Sequence, residues 1–407
     1  MNRAAEIAEV TSTHRIRLPE LGLALACFVG SAATVQKYAG TVSVVLYLLV
    51  LVGAVPLLVR GADLYFPALR TRSVALLACA TLLVLAIVFA LVYPHANTHV
   101  PGLGSDRDDA ADMGARALLH GRWPYHGHTY LGNPISQLPG LLVLAVPFEA
   151  LGHSAYAAFF WLPVLFAVLW YLRGEAQSPL LLLWLVLVAS PVVVREVLTG
   201  GDLVANTVSV MLALCLVHLA LLRGHTAGIA LASLFLGFVL SSRLNFLFVL
   251  PPLVALVWRR YGARVTTAHL TLTAVGFAAV TLPFYIGRRS FPPLAASDHL
   301  SVFDRSFSGG QWLLIGLALV LSAILAVLAP PTLQSVFVQA AILQAFFLVA
   351  VAVHDSVSSG ALDLVKLTPG YGLPVVLLAL GAVPALDRAC VARRPASAAY
   401  QPVDSTT

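Results

Sequence analysis

Charged side chains are scarce in this sequence. Of 407 residues only 10% are Asp, Glu, Lys or Arg, whereas 59% are hydrophobic, and the mean hydropathy is +0.90. An ordinary soluble protein has about 25% charged residues, and no stretch here has enough charge to form the polar surface of a soluble domain. The composition therefore excludes a soluble globular protein and predicts an all-α, polytopic transmembrane helical bundle whose solvent is lipid.

Cysteines are few, and basic residues do not cluster. Cys27, Cys79, Cys215 and Cys390 lie in or beside apolar runs, without the spacing of metal ligands or disulfide pairs. The formal net charge is +6, but Arg and Lys occur singly or in pairs between apolar runs, which is typical of topology signals rather than of a nucleic-acid partner. The sequence also lacks a Walker loop, a dinucleotide glycine fingerprint and a haem attachment motif.

About twelve apolar runs approach the length of a membrane span. They begin near Leu21, Gly40, Ser73, Ala155, Pro179, Leu203, Thr226, Leu244, Thr267, Trp312, Leu333 and Pro369. Residues 1–20 are polar and contain three arginines, which predicts a cytoplasmic N-terminal segment without a cleavable signal peptide. Residues 21–386 then form the transmembrane domain, and the tail 387–407, rich in Pro, Ser, Ala and Thr, is predicted to be disordered and cytoplasmic.

A further apolar run, 137–151, is interrupted by Pro139 and Pro147 and contains Glu149. We interpret it as a re-entrant or interfacial segment. With that choice basic residues outnumber acidic ones in the predicted cytoplasmic segments, as the positive-inside tendency requires. The loops 94–136 and 287–311 then lie outside the cell, and their length predicts that they carry function.

The first external loop contains the densest polar group of the chain: Asp106, Asp108, Asp109 and Asp112. From Asp108 onward, alanines and leucines recur at helical spacing until Gly121, which predicts a short amphipathic helix along the membrane surface. The aspartates could simply cap this helix, because Asp is favoured at helix N-termini. They could also form a catalytic site.

A series of short motifs resembles the GT-C superfamily of membrane glycosyltransferases, in particular its mannosyltransferase-like bacterial branch that uses polyprenyl-phosphate sugars. The motifs, in chain order, are Asp106 before the Ala-Leu-Leu-His-Gly helix end (117–121), Trp-Pro-Tyr (123–125), Thr-Tyr-Leu-Gly-Asn-Pro (129–134), Leu-Pro-Gly (138–140), Gly-Gly-Asp (200–202), Ser-Arg-Leu-Asn (242–245) and Thr-Pro-Gly-Tyr-Gly-Leu-Pro (368–374). Two features depart from the superfamily pattern. The acidic loop follows the third span rather than the first, and Ala110 stands where relatives often have Tyr.

This resemblance implies a GT-C-like bundle whose external loop carries short interfacial helices. It also implies transfer of a hexose or pentose, with inversion, from a polyprenyl-phosphate donor to a lipid, glycan or protein acceptor outside a bacterial plasma membrane. By position in the motif, Asp106 is the expected catalytic base. Asp108 and Asp109 are its alternatives, and a neighbouring carboxylate would raise the pKa of the base toward neutral pH.

The other candidate residues are cations, aromatic residues and polar residues near the outer face. For the donor phosphate we expect Arg243, Arg195, Arg288, Arg289 and Lys366. For the sugar or acceptor we expect Tyr125, His128, Tyr130, Asn133, Asp202 and Asn245. Each has a structural alternative, because arginines at span ends often anchor at the interface and aromatic residues often form interfacial belts. Arg195 and Glu196 could also be an ion pair that closes a helical hairpin.

Two further questions stay open from sequence. His126 and His128 could ligate a metal, but no Cys or third His follows at ligand spacing, so we assign no metal site. A divalent ion is still an alternative, because superfamily members differ in their need for metal. A transporter and a non-catalytic subunit of an envelope-assembly complex are the alternative functions, and the sequence predicts no oligomeric state.

Overall fold

The computed structural model describes residues 18–65, 69–100, 106–174, 177–286, 303, 309–364 and 371–382. Most of the predicted N-terminal segment, nearly all of the predicted loop 287–311 and the whole predicted tail 387–407 lie outside these residues. Arg288, Arg289 and Lys366 lie outside them too.

Fourteen α-helices make up the described part of the chain. They are α1 (Leu18–Ala39), α2 (Thr41–Tyr65), α3 (Thr71–Ala96), α4 (Arg107–Leu119), α5 (Pro139–Ala150), α6 (Ala157–Arg173), α7 (Gln177–Ala189), α8 (Pro191–Leu198), α9 (Leu203–Arg223), α10 (Thr226–Leu240), α11 (Leu250–Tyr285), α12 (Gly310–Leu328), α13 (Leu333–Ser359) and α14 (Leu373–Ala382). Short 3-10 helices cover Pro124–His126, Ser154–Tyr156 and Leu244–Val249.

Seven helical segments among the described residues are long and apolar enough to cross a membrane. They are Thr41–Val59, Thr71–Ala96, Ser154–Arg173, Leu203–Arg223, Leu244–Tyr285, Gly310–Leu328 and Leu333–Ser359. The pair α7 and α8, bent by 88°, would make an eighth crossing. The chain is thus a multi-pass helical membrane protein, while the figure of about twelve spans stays a prediction.

The apolar helices form because a chain in lipid must satisfy its backbone hydrogen bonds internally. Two features interrupt this regularity. Pro191 begins α8 directly after the bend that follows α7, where a proline can start a helix but cannot continue one. Gly262, with φ +81°, breaks the helical segment 244–285 into two parts, which correspond to the runs predicted from Leu244 and Thr267.

Helix α9 lies at the centre of the bundle. Some 72% of its most apolar stretch is buried, and it contacts α6, α10 and α14. Residues 373–381 of α14 are buried as well. Because α9 and α14 are covered by other helices, side chains at their N-terminal ends face protein rather than lipid.

The bundle has two distinct ends. At one end lie α4 and α5 with the last turn of α3 and the first residues of α9 and α14, and we call it the α4 end. At the opposite end, arginines bind helix C-termini: Arg173 Nη2 donates to the Leu380 carbonyl at 3.2 Å, and Arg259 Nη1 donates to the Ala329 carbonyl at 2.6 Å. All the acidic candidates for function therefore lie at the α4 end.

Candidate functional site

Helix α4 forms where the sequence predicts it, from Arg107 to Leu119, with the His120–Gly121 pair after its last residue. Its buried face is not purely apolar. Arg107, Asp108 and Asp112 are buried beside Ala111 and Ala115. A buried charge is costly unless it has a partner, so the partners of these side chains define the site.

Asp106 stands at the N-cap position of α4, yet its side chain makes no capping hydrogen bond. Instead its Oδ2 accepts hydrogen bonds from Thr129 Oγ1 at 2.7 Å and from Asn133 Nδ2 at 2.8 Å. These donors flank a tight turn in which Gly132 has φ +78°. The other carboxylate oxygen, Oδ1, bonds to none of the described side chains, so Asp106 is fixed at one oxygen and open at the other.

Asp108 is almost fully buried, with 1% of its surface exposed. Its Oδ2 accepts a hydrogen bond from Tyr93 Oη at 2.7 Å, while its Oδ1 has no hydrogen-bond partner among the described residues. Burial raises the pKa of Asp108 to about 7, and the neighbouring Asp109 and Asp112 add to the rise. Asp108 therefore holds a proton more readily than a solvent-exposed aspartate does.

Asp112 and His153 form an ion pair next to Asp108. His153 Nε2 lies 2.7 Å from Asp112 Oδ2 and 2.9 Å from Tyr93 Oη. Burial is the largest influence and opposes the charged forms of both groups, but their mutual hydrogen bond, their charge attraction and further neighbours together outweigh it, which lowers the pKa of Asp112 and raises that of His153. The backbone N–H of Ser154 also donates to Asp112, at 2.7 Å.

Asp109 faces another direction. Its Oδ1 lies 2.9 Å from His99 Nε2, and the His99 ring is 5.2 Å from that of Tyr130. Partial burial raises the pKa of Asp109, and the hydrogen bond from His99 opposes this rise. The three predicted catalytic carboxylates thus have three separate sets of partners, and Asp106 alone of them combines a fixed position with an open oxygen.

Arg107 turns inward and pairs with Glu196. Its Nη1 lies 3.1 Å from Glu196 Oε2, and both residues are buried. Glu196 Oε1 also accepts the backbone N–H of Leu203 at 3.2 Å, so one carboxylate ties α4, α8 and α9 together. The hairpin ion pair considered for Arg195 is not formed: Arg195 Nε lies 3.4 Å from Tyr38 Oη instead.

Arg243 pairs with Asp202, which brings two separately predicted motifs together. Arg243 Nε donates to Asp202 Oδ2 at 3.1 Å, and Asn206 Nδ2 donates to the same oxygen at 3.1 Å. Asn245 does not join them. Its side chain donates to Gln344 Oε1 at 2.8 Å, which fixes the Leu244–Val249 segment to α13.

Tyr371 links the two buried ion pairs. Its ring centroid lies 4.6 Å from the guanidinium carbon of Arg107 and 5.7 Å from that of Arg243, within the range of cation–π contacts. We call Arg107, Glu196, Asp202, Arg243 and Tyr371 the central cluster. Its two arginines are matched by two carboxylates, so it is a neutral polar network rather than a cationic patch.

The remaining predicted residues have varied surroundings. Tyr125 is buried and donates to the Gln137 carbonyl at 3.0 Å, beside Trp123 and Phe284, which gives it a structural role in this conformation. His128 is exposed. Within the described residues no group of three His, Cys, Asp or Glu side chains is placed to hold a metal ion.

Two apolar cavities lie between α1 and α13, near α14. The one nearer the α4 end has a volume of about 180 Å³, and its lining includes Leu364 and Gly372, the residue that follows Tyr371 in the chain. The deeper one has a volume of about 390 Å³ and is lined by α1, α13 and α14. They share one lining residue, Val29, and apolar residues line both, so we call the two cavities together the α14 groove.

The sequence analysis did not identify Arg107 or Tyr93 as residues of the site, and it did not predict the contacts of Glu196 and Tyr371. A lone arginine among four aspartates was the available signal for Arg107, and Tyr371 lay in a quoted motif without an assigned role. Comparison with models of protein families, with curated proteins and with solved structures finds no match to this chain. The GT-C resemblance therefore stays a prediction.

Proposed function

We propose that this protein is an integral membrane glycosyltransferase that transfers a sugar from a polyprenyl phosphate to a lipid, glycan or protein acceptor. One observation carries the proposal. Asp106 has one oxygen held by Thr129 and Asn133 and the other open, and its chain neighbour Arg107 lies over Tyr371, the residue before Gly372 in the lining of the α14 groove.

In the proposed reaction, the acceptor hydroxyl oxygen forms a bond to the anomeric carbon of the sugar. The bond between that carbon and the phosphate oxygen breaks, and the polyprenyl phosphate leaves. The proton of the hydroxyl passes to Asp106, which acts as general base. The attack comes from the face opposite the phosphate, so the anomeric configuration is inverted.

The central cluster and the α14 groove suit the donor. A prenyl chain would fill the apolar groove, which places its phosphate beside Tyr371 and the two arginines. Arg243 uses Nε and Nη2 for Asp202, and its Nη1 has no hydrogen bond to any described residue. Nη1 can therefore donate to the phosphate and stabilise the charge that develops as it leaves.

We place the reaction on the extracytoplasmic face. The arginines at the opposite end, among them Arg173, Arg223, Arg259 and Arg260, follow the preference of basic residues for the cytoplasm. The acidic residues of α4, together with Glu196 and Asp202, lie at the α4 end. With this orientation the termini are cytoplasmic, and the donor headgroup meets Asp106 at the outer surface.

The test is Asp106→Asn in the full-length protein reconstituted into lipid vesicles. Polyprenyl phosphate carrying radiolabelled mannose, glucose or arabinose is supplied as donor, and transfer to acceptors in a membrane extract is measured. Loss of a general base costs about 10²- to 10⁴-fold in rate, with unchanged expression and melting temperature. Asp355→Asn is the control, because Asp355 is a buried carboxylate on α13 outside the site. Transfer at the wild-type rate by the Asp106 variant would refute the proposal.

A transporter is the second candidate, because α7 and α8 form a helix pair broken by 88°. Interrupted helices often mark substrate sites in transporters. The same vesicles separate the two functions. A transporter moves labelled solute across the bilayer without forming a new glycosidic bond, whereas a glycosyltransferase releases polyprenyl phosphate and labels the acceptor.

A further inference from the structure

Four buried oxygen atoms near Arg243 have no hydrogen-bond partner in the described part of the chain: Gln137 Oε1, Asp202 Oδ1, Asn206 Oδ1 and Ser242 Oγ. Their residues are between 0% and 6% exposed. An unsatisfied buried polar atom costs about 1–3 kcal/mol. Four of them in one region therefore indicate a place where a ligand completes the hydrogen bonding.

Hydrogen bonds and chain connectivity place these four residues in one region. Asn206 and Arg243 both donate to Asp202 Oδ2, and Ser242 precedes Arg243 in the chain. The Ser242 carbonyl accepts the backbone N–H of Leu138 at 3.2 Å. Gln137 directly precedes Leu138, so its amide lies beside the same segment.

The chemistry of these atoms selects the ligand. The oxygens of Asp202, Asn206 and Gln137 can only accept hydrogen bonds, and the Ser242 hydroxyl can both donate and accept. An ionised phosphodiester has no hydrogen to donate, and it would face the negative charge of Asp202. A sugar ring with several hydroxyl groups supplies several donors close together.

We infer that Asp202, Asn206, Ser242 and Gln137 form a subsite for the hydroxyl groups of the transferred sugar. This inference rests on the proposed function and names the part of the donor that the Arg243 region recognises. Arg243 is a positioning residue here, because it holds Asp202 Oδ2 and leaves Oδ1 for the sugar. The four oxygens are closed to solvent, so binding of a sugar requires a local movement of the side chains around them.

Two adjacent serines give a matched pair of variants. Ser241 Oγ already donates to the Phe238 carbonyl at 2.6 Å, whereas Ser242 Oγ has no partner. Binding of two probes to purified full-length protein is measured: bare polyprenyl phosphate, and polyprenyl phosphate carrying mannose, glucose or arabinose. We expect wild type to bind at least one sugar-bearing lipid more tightly than the bare lipid.

Ser242→Ala should weaken binding of that sugar-bearing lipid about tenfold and leave binding of the bare lipid unchanged. Asn206→Ala should do the same if it folds, and Ser241→Ala should bind both lipids as wild type does. Equal affinity of wild type for all probes, or equal effects of the two serine variants, would refute the subsite, and the four oxygens would then be satisfied by water only. Failure of every probe to bind would refute the proposed function as well, so the two failures are distinguishable.

Discussion

Asp106 and Asp108 lie two residues apart in the chain, but their side chains have different surroundings. Asp106 receives two hydrogen bonds at Oδ2 and keeps an open oxygen, whereas Asp108 is buried with one oxygen unsatisfied. A general base must reach its proton, which favours Asp106 for catalysis. Asp108 meets the other requirement, a pKa near neutral, through burial beside Tyr93 and two further aspartates.

The first prediction concerns the stability of the protein against pH. The pKa of Asp108 is raised from 3.8 to about 7 in the fold, so the folded state holds a proton that the unfolded state releases. Its contribution to stability is complete below about pH 4 and is lost as the pH rises through 7. Asp108→Asn is neutral at every pH and keeps an acceptor for Tyr93. We therefore expect it to match wild type at pH 4 and to exceed it by up to about 4 kcal/mol at pH 8.

Melting temperatures of both proteins in detergent between pH 4 and pH 8 check this prediction. His153 and Asp112 titrate in both proteins, but each interacts with the charge of Asp108, so the difference reports Asp108 together with its effect on these two neighbours. A difference that does not change with pH would mean that burial does not raise the pKa of Asp108.

At the residue scale, the sequence indicated which polar residues are candidates for function but not which residues they pair with. The aspartates of α4, Asp202 and Arg243 were identified because charge in an apolar chain is costly without a use. The partner of Arg107 is 89 residues away, and that of Arg243 is 41 residues away. Local spacing holds no information on such distant pairs, so the sequence offers only the neighbouring Arg195 as a partner for Glu196, as one of two alternatives.

At the scale of single elements, α4 depends on ion pairs for its position. Arg107 joins it to Glu196 of α8, where both side chains are buried. Arg116 Nη2 joins it to Glu149 of α5 at 2.7 Å, where the arginine side chain is 56% exposed. A pair with both side chains buried and a pair whose arginine reaches solvent while its glutamate is buried thus hold the same helix, one at each end.

The second prediction compares these two pairs. Glu196→Gln leaves the buried charge of Arg107 uncompensated, and breaking a buried pair costs about 3–5 kcal/mol. Glu149→Gln disrupts a pair whose arginine reaches solvent, and such pairs contribute about 0–1 kcal/mol. Thermal unfolding of the two variants, with protease sensitivity of α4 as a second readout, checks the difference. Equal loss of stability would show that Glu196 does not hold α4 in place.

The helices were easier to predict from sequence than the pairings between side chains. The position of a helix was also easier to predict than whether that helix crosses the membrane. The amphipathic spacing from Ala111 to Leu118 predicted α4, and the proline-broken run 137–151 forms the short helix α5. The bend after α7 was not predicted, because Pro191 is equally compatible with the start of a new helix and with a kink inside one. The bend depends on tertiary contacts, including the hydrogen bond of Ser31 with Ser190.

At the scale of the whole molecule, two different features adjoin in the chain at Tyr371 and Gly372. The lining of the α14 groove, which includes Gly372, is apolar, while the central cluster, which includes Tyr371, is polar and pairs two arginines with two carboxylates. A ligand that fits both must have a long apolar part joined to a polar head, and a prenyl-linked sugar has this form. Sequence alone could not show this junction, since its residues come from α1, α2, α4, α8, α13 and α14 and from the segments before α9, after α10 and before α14.

The last prediction tests the orientation on which the reaction depends. In a background whose four cysteines are replaced, His126→Cys places a thiol at the exposed surface of the α4 end, and Arg260→Cys places one at the exposed surface of the opposite end. A membrane-impermeant maleimide added to intact cells should label the variant at 126 and not the variant at 260, because basic residues favour the cytoplasmic side. After the cells are opened, both should be labelled, which shows that each thiol is reactive. Labelling of position 260 alone in intact cells would put Asp106 in the cytoplasm, where an acceptor outside the membrane cannot reach it.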